Sequence, residues 1–283
     1  MSRESELRAL LARHGFRFSK SMGQNFLVDP TVPEDIAAAA RIDANTHVLE
    51  IGPGIGALTS ELCRGAGFVT AIELDKTLLP MLDETMANFA NYEIIQADAL
   101  KLGFADVMSK KPDLPRKVAA ANLPYNITAP AIASLLECGV FETITIMIQR
   151  EVAHRIVAPP GGKEYGAFSV FVRYHADSEI LFDVPPDSFI PAPKVTSSVI
   201  QLTPRPVPAQ IDDEEFFFRV VKAAFAQRRK TLFNTLKAGG FSLSSDKLAE
   251  IIADCGIAPM ARGETLGIAE FAQLANAIMA AQL

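Results

Sequence analysis

Four consecutive residues, Asn122-Leu123-Pro124-Tyr125, place an amide, a proline and an aromatic ring directly after the apolar run Lys117–Ala121. A core strand needs no such group, and a plain turn needs no tyrosine. The chemistry that fits is activation of an aromatic amine. The lone pair of an adenine amino group is delocalised into its ring, so the nitrogen is a poor nucleophile. Two acceptors aimed at its N–H bonds favour a pyramidal nitrogen and return the lone pair to it. The side-chain oxygen of Asn122 and the backbone carbonyl of Leu123 or Pro124 are candidates for that pair. Pro124 fixes the turn, and Tyr125 offers a stacking face to a base. The bland alternative is a proline-bearing turn with a buried Asn and a packed Tyr.

A second group of residues lies upstream. Glu50-Ile51-Gly52-Pro53-Gly54-Ile55-Gly56 follows an apolar strand-like run, and its glycines let the backbone turn tightly against a ligand. Glu73 comes roughly 20 residues later, where a carboxylate can hold ribose hydroxyls. These features suit a dinucleotide and S-adenosylmethionine equally. Asp98, at the end of the next strand-like run, can accept from an adenine amino group or can simply cap a helix. Pro53 removes an amide donor from the turn, where a pyrophosphate would use every N–H available. A sulfonium cofactor carries no phosphate, so the balance favours S-adenosylmethionine. Methyl transfer also explains the lack of a strong base beside Asn122, because a methylated ammonium is acidic and sheds its proton readily.

The elements that must hold these residues are legible as alternating runs. Strands are expected at 47–51, 68–73, 93–97, 117–121, 143–149, 179–184 and 196–202, with helices between the first five. That alternation predicts a parallel sheet, with the last two strands pairing antiparallel at one edge. The motifs then fall at the carboxyl ends of the strands, the ligand edge of such sheets. Thr203-Pro204-Arg205-Pro206-Val207-Pro208 reads as a linker. Beyond it the pattern is helical, at 212–237, 245–253 and 266–281. The expected domains are therefore residues 1–206, binding the cofactor, and residues 207–283, a helical RNA-recognition unit.

The 283 residues are 49% apolar and carry a net charge of −6, which by itself argues against nucleic acid. Two segments are nevertheless basic. One is the N-terminal tail with Arg3, Arg8, Arg13, Arg17 and Lys20; the other is 222–237, which holds no acid. On one continuous helix, Lys222, Arg229, Lys230 and Lys237 fall within roughly a 100° arc, and Phe218, Val221, Phe225, Leu232 and Leu236 cluster on another side. Such a face suits phosphate contacts with duplex RNA. Cys63, Cys138 and Cys255 lie far apart, and the four histidines have no metal-ligand spacing. No apolar run reaches a membrane span and no signal peptide precedes the chain, so no metal, no membrane and a cytoplasmic location are expected.

The motifs together resemble the ribosomal RNA adenine dimethyltransferase family, and within it the bacterial small-subunit branch. They are GQNFL at 23–27, EIGPGIGALT at 50–59, AIELD at 71–75, QADAL at 96–100, NLPYNI at 122–127, MIQREVAHRI at 147–156, FIPAPKV at 189–195 and AFAQRRKTLFNTL at 224–236. The resemblance covers nearly the whole chain. It implies a Rossmann-like fold with a seven-stranded, mostly parallel sheet, one antiparallel strand and a small helical C-terminal domain. It implies that Asn25, Leu27, Gly52, Glu73, Asp98 and Asn122 bind S-adenosylmethionine. It implies that Asn122, Pro124 and Tyr125 serve the target amine and that Phe189 flanks the base, although Phe189 can also be read as a core residue. The implied substrate is a pair of adjacent adenosines near the 3′ end of small-subunit (16S) rRNA, each dimethylated by a monomer acting on a small ribosomal subunit precursor. The alternatives are a large-subunit rRNA dimethyltransferase of the macrolide-resistance type, or a ribosome-assembly factor with secondary methylation.

Overall fold

A computed structural model describes residues 3–18 and 24–282. Lys20 of the basic tail and Gly23 of the GQNFL motif lie outside the described residues. The chain divides into two compact units, one of residues 1–153 with 178–204, the other of residues 154–177 with 205–283.

The first unit opens with helix α1 (Arg3–Arg13), strand β1 (Phe26–Leu27) and helix α2 (Thr31–Ala39). Strands and helices then alternate: β2 (Thr46–Ile51), α3 (Ala57–Gly65), β3 (Phe68–Glu73), α4 (Leu79–Thr85), β4 (Tyr92–Gln96), α5 (Phe104–Ser109), β5 (Arg116–Asn122), α6 (Thr128–Glu137) and β6 (Thr143–Gln149). Helices α7 (Arg150–Val157) and α8 (Ala167–His175) precede β7 (Ala176–Val184), β8 (Phe189–Ile190) and β9 (Ser197–Pro204). One seven-stranded sheet has the order β4-β3-β2-β5-β6-β9-β7. The pairs from β4 through β6 are parallel, and β9 runs antiparallel to β6. The fold is Rossmann-like, and the seven expected strands are present, two with the expected bounds and the others with ends displaced by at most three residues. Parallel strands buried on both faces read as unbroken apolar runs; Val48, Leu49, Val69, Val118, Ala120, Ile144 and Ile146 are all fully buried.

Register fixes which residues reach the carboxyl edge. Glu73 pairs with Gln96, and Asn122 with Met147, so Ile51, Glu73, Gln96 and Asn122 end neighbouring strands together. Because β9 is reversed, its beginning lies where the others end: Ser197 pairs with Gln149, the last residue of β6.

The two-residue strands were not anticipated. Phe26 pairs with Ile190 and Leu27 with Phe189. Alternation sends Phe26 and Ile190 into a cluster with Leu7, Leu10, Leu11, Leu78 and Met81, while Leu27 and Phe189 enter the main sheet core with Val184 and Val199.

The second unit contains α8, α9 (Glu214–Phe225), α10 (Leu232–Ala238), α11 (Ser245–Asp254) and α12 (Ile268–Ala280). Its chain break after Pro204 lies close to the expected boundary, but residues 154–177 also belong to it. The reason is packing: Tyr165, Val170 and Tyr174 share one core with Phe217, Val220, Leu236 and Phe271, and the Tyr165 hydroxyl donates to the Leu266 carbonyl at 2.9 Å. The expected single helix over 212–237 requires correction. It ends at Phe225, and a new helix starts after Thr231, whose hydroxyl accepts from Asn234 N. Lys222 lies on α9, Arg229 and Lys230 in the connection, and Lys237 on α10, so the shared arc of one helix does not apply.

Candidate active site

The glycine turn between β2 and α3 is built by backbone geometry that side chains resist. Gly54 has φ +61°, and a Cβ there would stand 3.2 Å from the Phe26 ring. Gly56, at φ +86°, caps α3, and a Cβ would meet Met86 Sδ at 2.9 Å. The turn forms one wall of a cleft enclosing about 1050 Å³, its open mouth included. Residues 24–27 of the N-terminal segment, Glu73–Asp75 and Asn122–Ile127 complete the walls.

Most of the expected site residues meet here. Asn25, Leu27, Gly52, Glu73, Asn122, Pro124 and Tyr125 all line the cleft. Glu73 is 7% exposed. Its carboxylate accepts from Asp75 N at 2.7 Å and Gly54 N at 3.4 Å. Burial pushes this carboxyl above its ordinary range, and those hydrogen bonds pull the other way. Gln24 Nε2 donates to Asp75 Oδ2 at 2.7 Å, which ties the N-terminal segment to the cleft rim.

Two residues sit elsewhere than expected. Asp98 is not on the cleft wall, though Ala97 and Ala99 are. Its Oδ1 accepts from Leu100 N at 3.1 Å and caps a short 3-10 turn, while Oδ2 lies 3.7 Å from Lys101 Nζ. The capping role weighed from the sequence is therefore present. Phe189 is the clearer correction. It is 3% exposed, packs in the sheet core beside Leu27 and does not line the cleft. The short strand containing Phe189 turns its ring into the sheet core, the core reading also open from the sequence.

Glu50 belongs to the site although the sequence reading quoted it only as part of a motif. It lines the cleft at 1% exposure, and its Oε2 has no hydrogen-bond partner. Burial, with the nearby Glu73 charge, pushes its carboxyl up to about 8. The signal was available: an acid inside an otherwise apolar strand, directly before the glycine turn.

On the opposite wall, Asn122 Nδ2 donates to the Asn25 carbonyl at 3.5 Å. Pro124 O accepts from Ile127 N at 3.1 Å and from Thr128 Oγ1 at 3.4 Å. The Tyr125 hydroxyl is hydrogen-bonded to Ser197 Oγ at 2.7 Å. Burial pushes the Tyr125 phenol up, against the opposing effect of that bond.

The donor set suits S-adenosylmethionine. Among the described lining residues are three acids, Glu50, Glu73 and Asp75, and no Lys, Arg or His. A pyrophosphate would find carboxyl groups there and no cationic side chain to offset them, whereas a sulfonium and a ribose find acceptors. No group of three or more His, Cys, Asp or Glu suited to a metal occurs among the described residues. No helix among them is long and apolar enough to cross a membrane. In the helical unit, Lys222, Arg229, Lys230 and Lys237 are exposed, whereas Arg228 is paired with Glu264 at 3.0 Å.

Comparison with known proteins agrees with this architecture. The sequence model of the family described as "Ribosomal RNA adenine dimethylase" matches residues 15–279. The chain is 45% identical over 280 residues to "Ribosomal RNA small subunit methyltransferase A" of Streptococcus pneumoniae strain P1031, covering 97% of this chain and 96% of that one. Strain CGSP14 of the same organism gives the same identity and coverage. Among solved structures, a dimethyladenosine transferase from Plasmodium falciparum shares the fold with TM-score 0.73 at 24% identity, covering 88% of this chain and 95% of that one. The 23S rRNA methyltransferase ErmE superposes with TM-score 0.67 at 25% identity, covering 90% of this chain and all of that one (100%). The chain belongs to the ribosomal RNA adenine dimethylase family.

Proposed function

We propose that this protein is an S-adenosylmethionine-dependent methyltransferase that dimethylates the 6-amino groups of two adjacent adenosines near the 3′ end of small-subunit (16S) rRNA. The observation that carries this is the meeting of two walls in one cleft: the acid-lined glycine turn and the Asn122–Tyr125 turn. The 45% identity to small-subunit enzymes supports that substrate over the large-subunit alternative, whose ErmE representative is 25% identical.

When bound, S-adenosylmethionine supplies an electrophilic methyl group on a positively charged sulfur. The chain's own residues do the rest. Glu73 holds the ribose hydroxyls, and Asn25 and Leu27 close the cleft from the N-terminal side. Gly52 permits close backbone approach, and Asp98, capping the turn between Ala97 and Ala99, braces the wall those two residues form. Asn122 presents Oδ1 to the target amine, because its Nδ2 is already directed at the Asn25 carbonyl. Pro124 O serves two donors of its own turn, so the second acceptor is the Leu123 carbonyl. Together these acceptors pyramidalise the amine nitrogen. Tyr125 stacks on the base and offsets the cost of unstacking it from the RNA. Its hydroxyl is engaged by Ser197 and its phenol is held protonated, so Tyr125 acts as a surface and not as a base.

Lys222, Arg229, Lys230 and Lys237 contact phosphates of the rRNA, with the protein acting as a cytoplasmic monomer on a small-subunit precursor. The test is mass spectrometry of 16S rRNA after incubating the protein and S-adenosylmethionine with undermethylated small subunits. Two neighbouring dimethyladenosines near the 3′ end are expected. Modification of 23S rRNA alone would sink the assignment.

A further inference from the structure

We infer that Ser197 is a positioning residue for methyl transfer, its hydroxyl fixing the ring of Tyr125 against the target adenine. This rests on the methyltransferase reading above. Ser197 is fully buried (0% exposed) at the start of β9. A hydroxyl placed there without a partner would be costly, and the bond it makes is the 2.7 Å contact to the Tyr125 hydroxyl. Tyr125, by contrast, is half-buried and forms cleft wall. Its Cα is fixed by the turn after β5, but a ring beside open space is free about its side-chain torsions. The bond to Ser197 pins the far end of that ring to a strand.

The reversed direction of β9 makes this possible. Ser197 pairs with Gln149 at the carboxyl edge of β6, and Asn122 pairs with Met147 on the same strand. The strand is held at this point from its other neighbours. Arg150 N donates to Thr196 O at 3.0 Å, and the next hydroxyl, Ser198 Oγ, donates to Asp183 Oδ1 at 2.6 Å. Ser197, which does not itself line the cleft, is thus an anchored support for the hydroxyl end of the Tyr125 ring. A ring tethered in this way meets the extruded base already oriented, so less ordering is needed when the base arrives.

The experiment compares wild type, Ser197→Ala, Tyr125→Phe and the double variant, using undermethylated small subunits. It measures kcat, KM for the particle, S-adenosylmethionine affinity by calorimetry, and melting temperature. Losing one hydrogen bond that acts on orientation should lower kcat about five- to tenfold in each single variant. KM and cofactor affinity should stay within about twofold. The double variant should be no slower than either single one, because both remove the same bond. Equal kcat for Ser197→Ala and wild type overturns the inference, as do losses that multiply in the double variant. Tyr125→Phe leaves β9 unaltered and the Ser197 hydroxyl without its partner, so with the melting temperature recorded it tests the same bond from the other side if Ser197→Ala folds poorly. A wild-type protein that leaves the particles unmethylated overturns the methyltransferase reading and this inference with it. An active wild type with an unaffected Ser197→Ala overturns the inference alone.

Discussion

Glu50 gives the sharpest physical test of the cleft. Its carboxyl is 1% exposed, one oxygen has no partner, and its native pKa is pushed up to about 8 by burial and by Glu73. In the unfolded chain it titrates near 4.5. Between those values the native state holds a proton that the unfolded chain has released. Stability therefore falls as pH rises through the window, by at most about 1.36 kcal/mol per pH unit. From pH 5.5 to 7.5 the loss from this one group sums to about 2–3 kcal/mol. Glu50→Gln keeps the shape and removes the titration. Urea unfolding of both proteins at pH 5.5, 6.5 and 7.5, followed by circular dichroism, yields the gap between them, in which other titrating groups largely cancel. The variant should gain about 2–3 kcal/mol on the wild type across that range. A gap that stays constant within about 0.5 kcal/mol would mean that Glu50 is ionised, or solvated, at neutral pH. A cationic ligand in the cleft should also draw the proton off, so wild-type affinity for S-adenosylmethionine should rise with pH more steeply than that of the variant.

Three further outcomes are expected. Glu73→Ala should weaken S-adenosylmethionine binding about ten- to a hundredfold, the value of hydrogen bonds to a charged acceptor; unchanged calorimetric affinity removes Glu73 from the site. Charge reversal at Arg229 and Lys230 should weaken binding to small subunits and flatten its salt dependence, since fewer counterions are released. Cofactor affinity should not change, and an unaltered salt slope would make both residues ordinary solvated charges. Phe189→Ala should cost about 3–5 kcal/mol of stability as a core truncation, while the folded enzyme methylates at close to the normal rate. A folded variant slowed tenfold would return Phe189 to the base-binding face.

Why some of this was legible in the sequence and some was not follows from the range of the interactions. The parallel strands are short apolar runs punctuated by glycine and proline, so local pattern suffices, and the rule that ligands sit at carboxyl strand ends brings Gly52, Glu73 and Asn122 together. The β1–β8 pair is invisible locally: Phe26-Leu27 and Phe189-Ile190 are two residues each, and only their mutual pairing makes them strands. That pairing decides which face Phe189 takes, which is why the sequence left both a core and a base-flanking reading open. Residues 154–177 join the helical unit through apolar contacts with segments more than forty residues downstream, which no periodicity reveals. The break before α10 was readable, because Thr231 is an ordinary N-cap residue inside an otherwise helical run. Glu50 was passed over because a buried acid in a strand looks like part of the glycine motif until its environment is known.

The identity of residue 122 is the point at which both walls of the cleft bear on the same chemistry. Asp is the charged isostere of the Asn found there. In this cleft three carboxyl groups already face the cofactor side, and a fourth would raise the pKa values of the others further. The Asn122 Nδ2 also faces the Asn25 carbonyl at 3.5 Å; an Asp oxygen in that place would set acceptor against acceptor. The substrate adds its own demand. An unmodified amino group offers two N–H bonds, but the singly methylated amine offers one, and a carboxylate that grips the first form strongly gains little from the second. A neutral amide loses less between the two steps. Under the proposed function, an amide oriented by the backbone of the N-terminal segment would satisfy both the electrostatics of the cleft and the requirement that the same nitrogen be methylated twice.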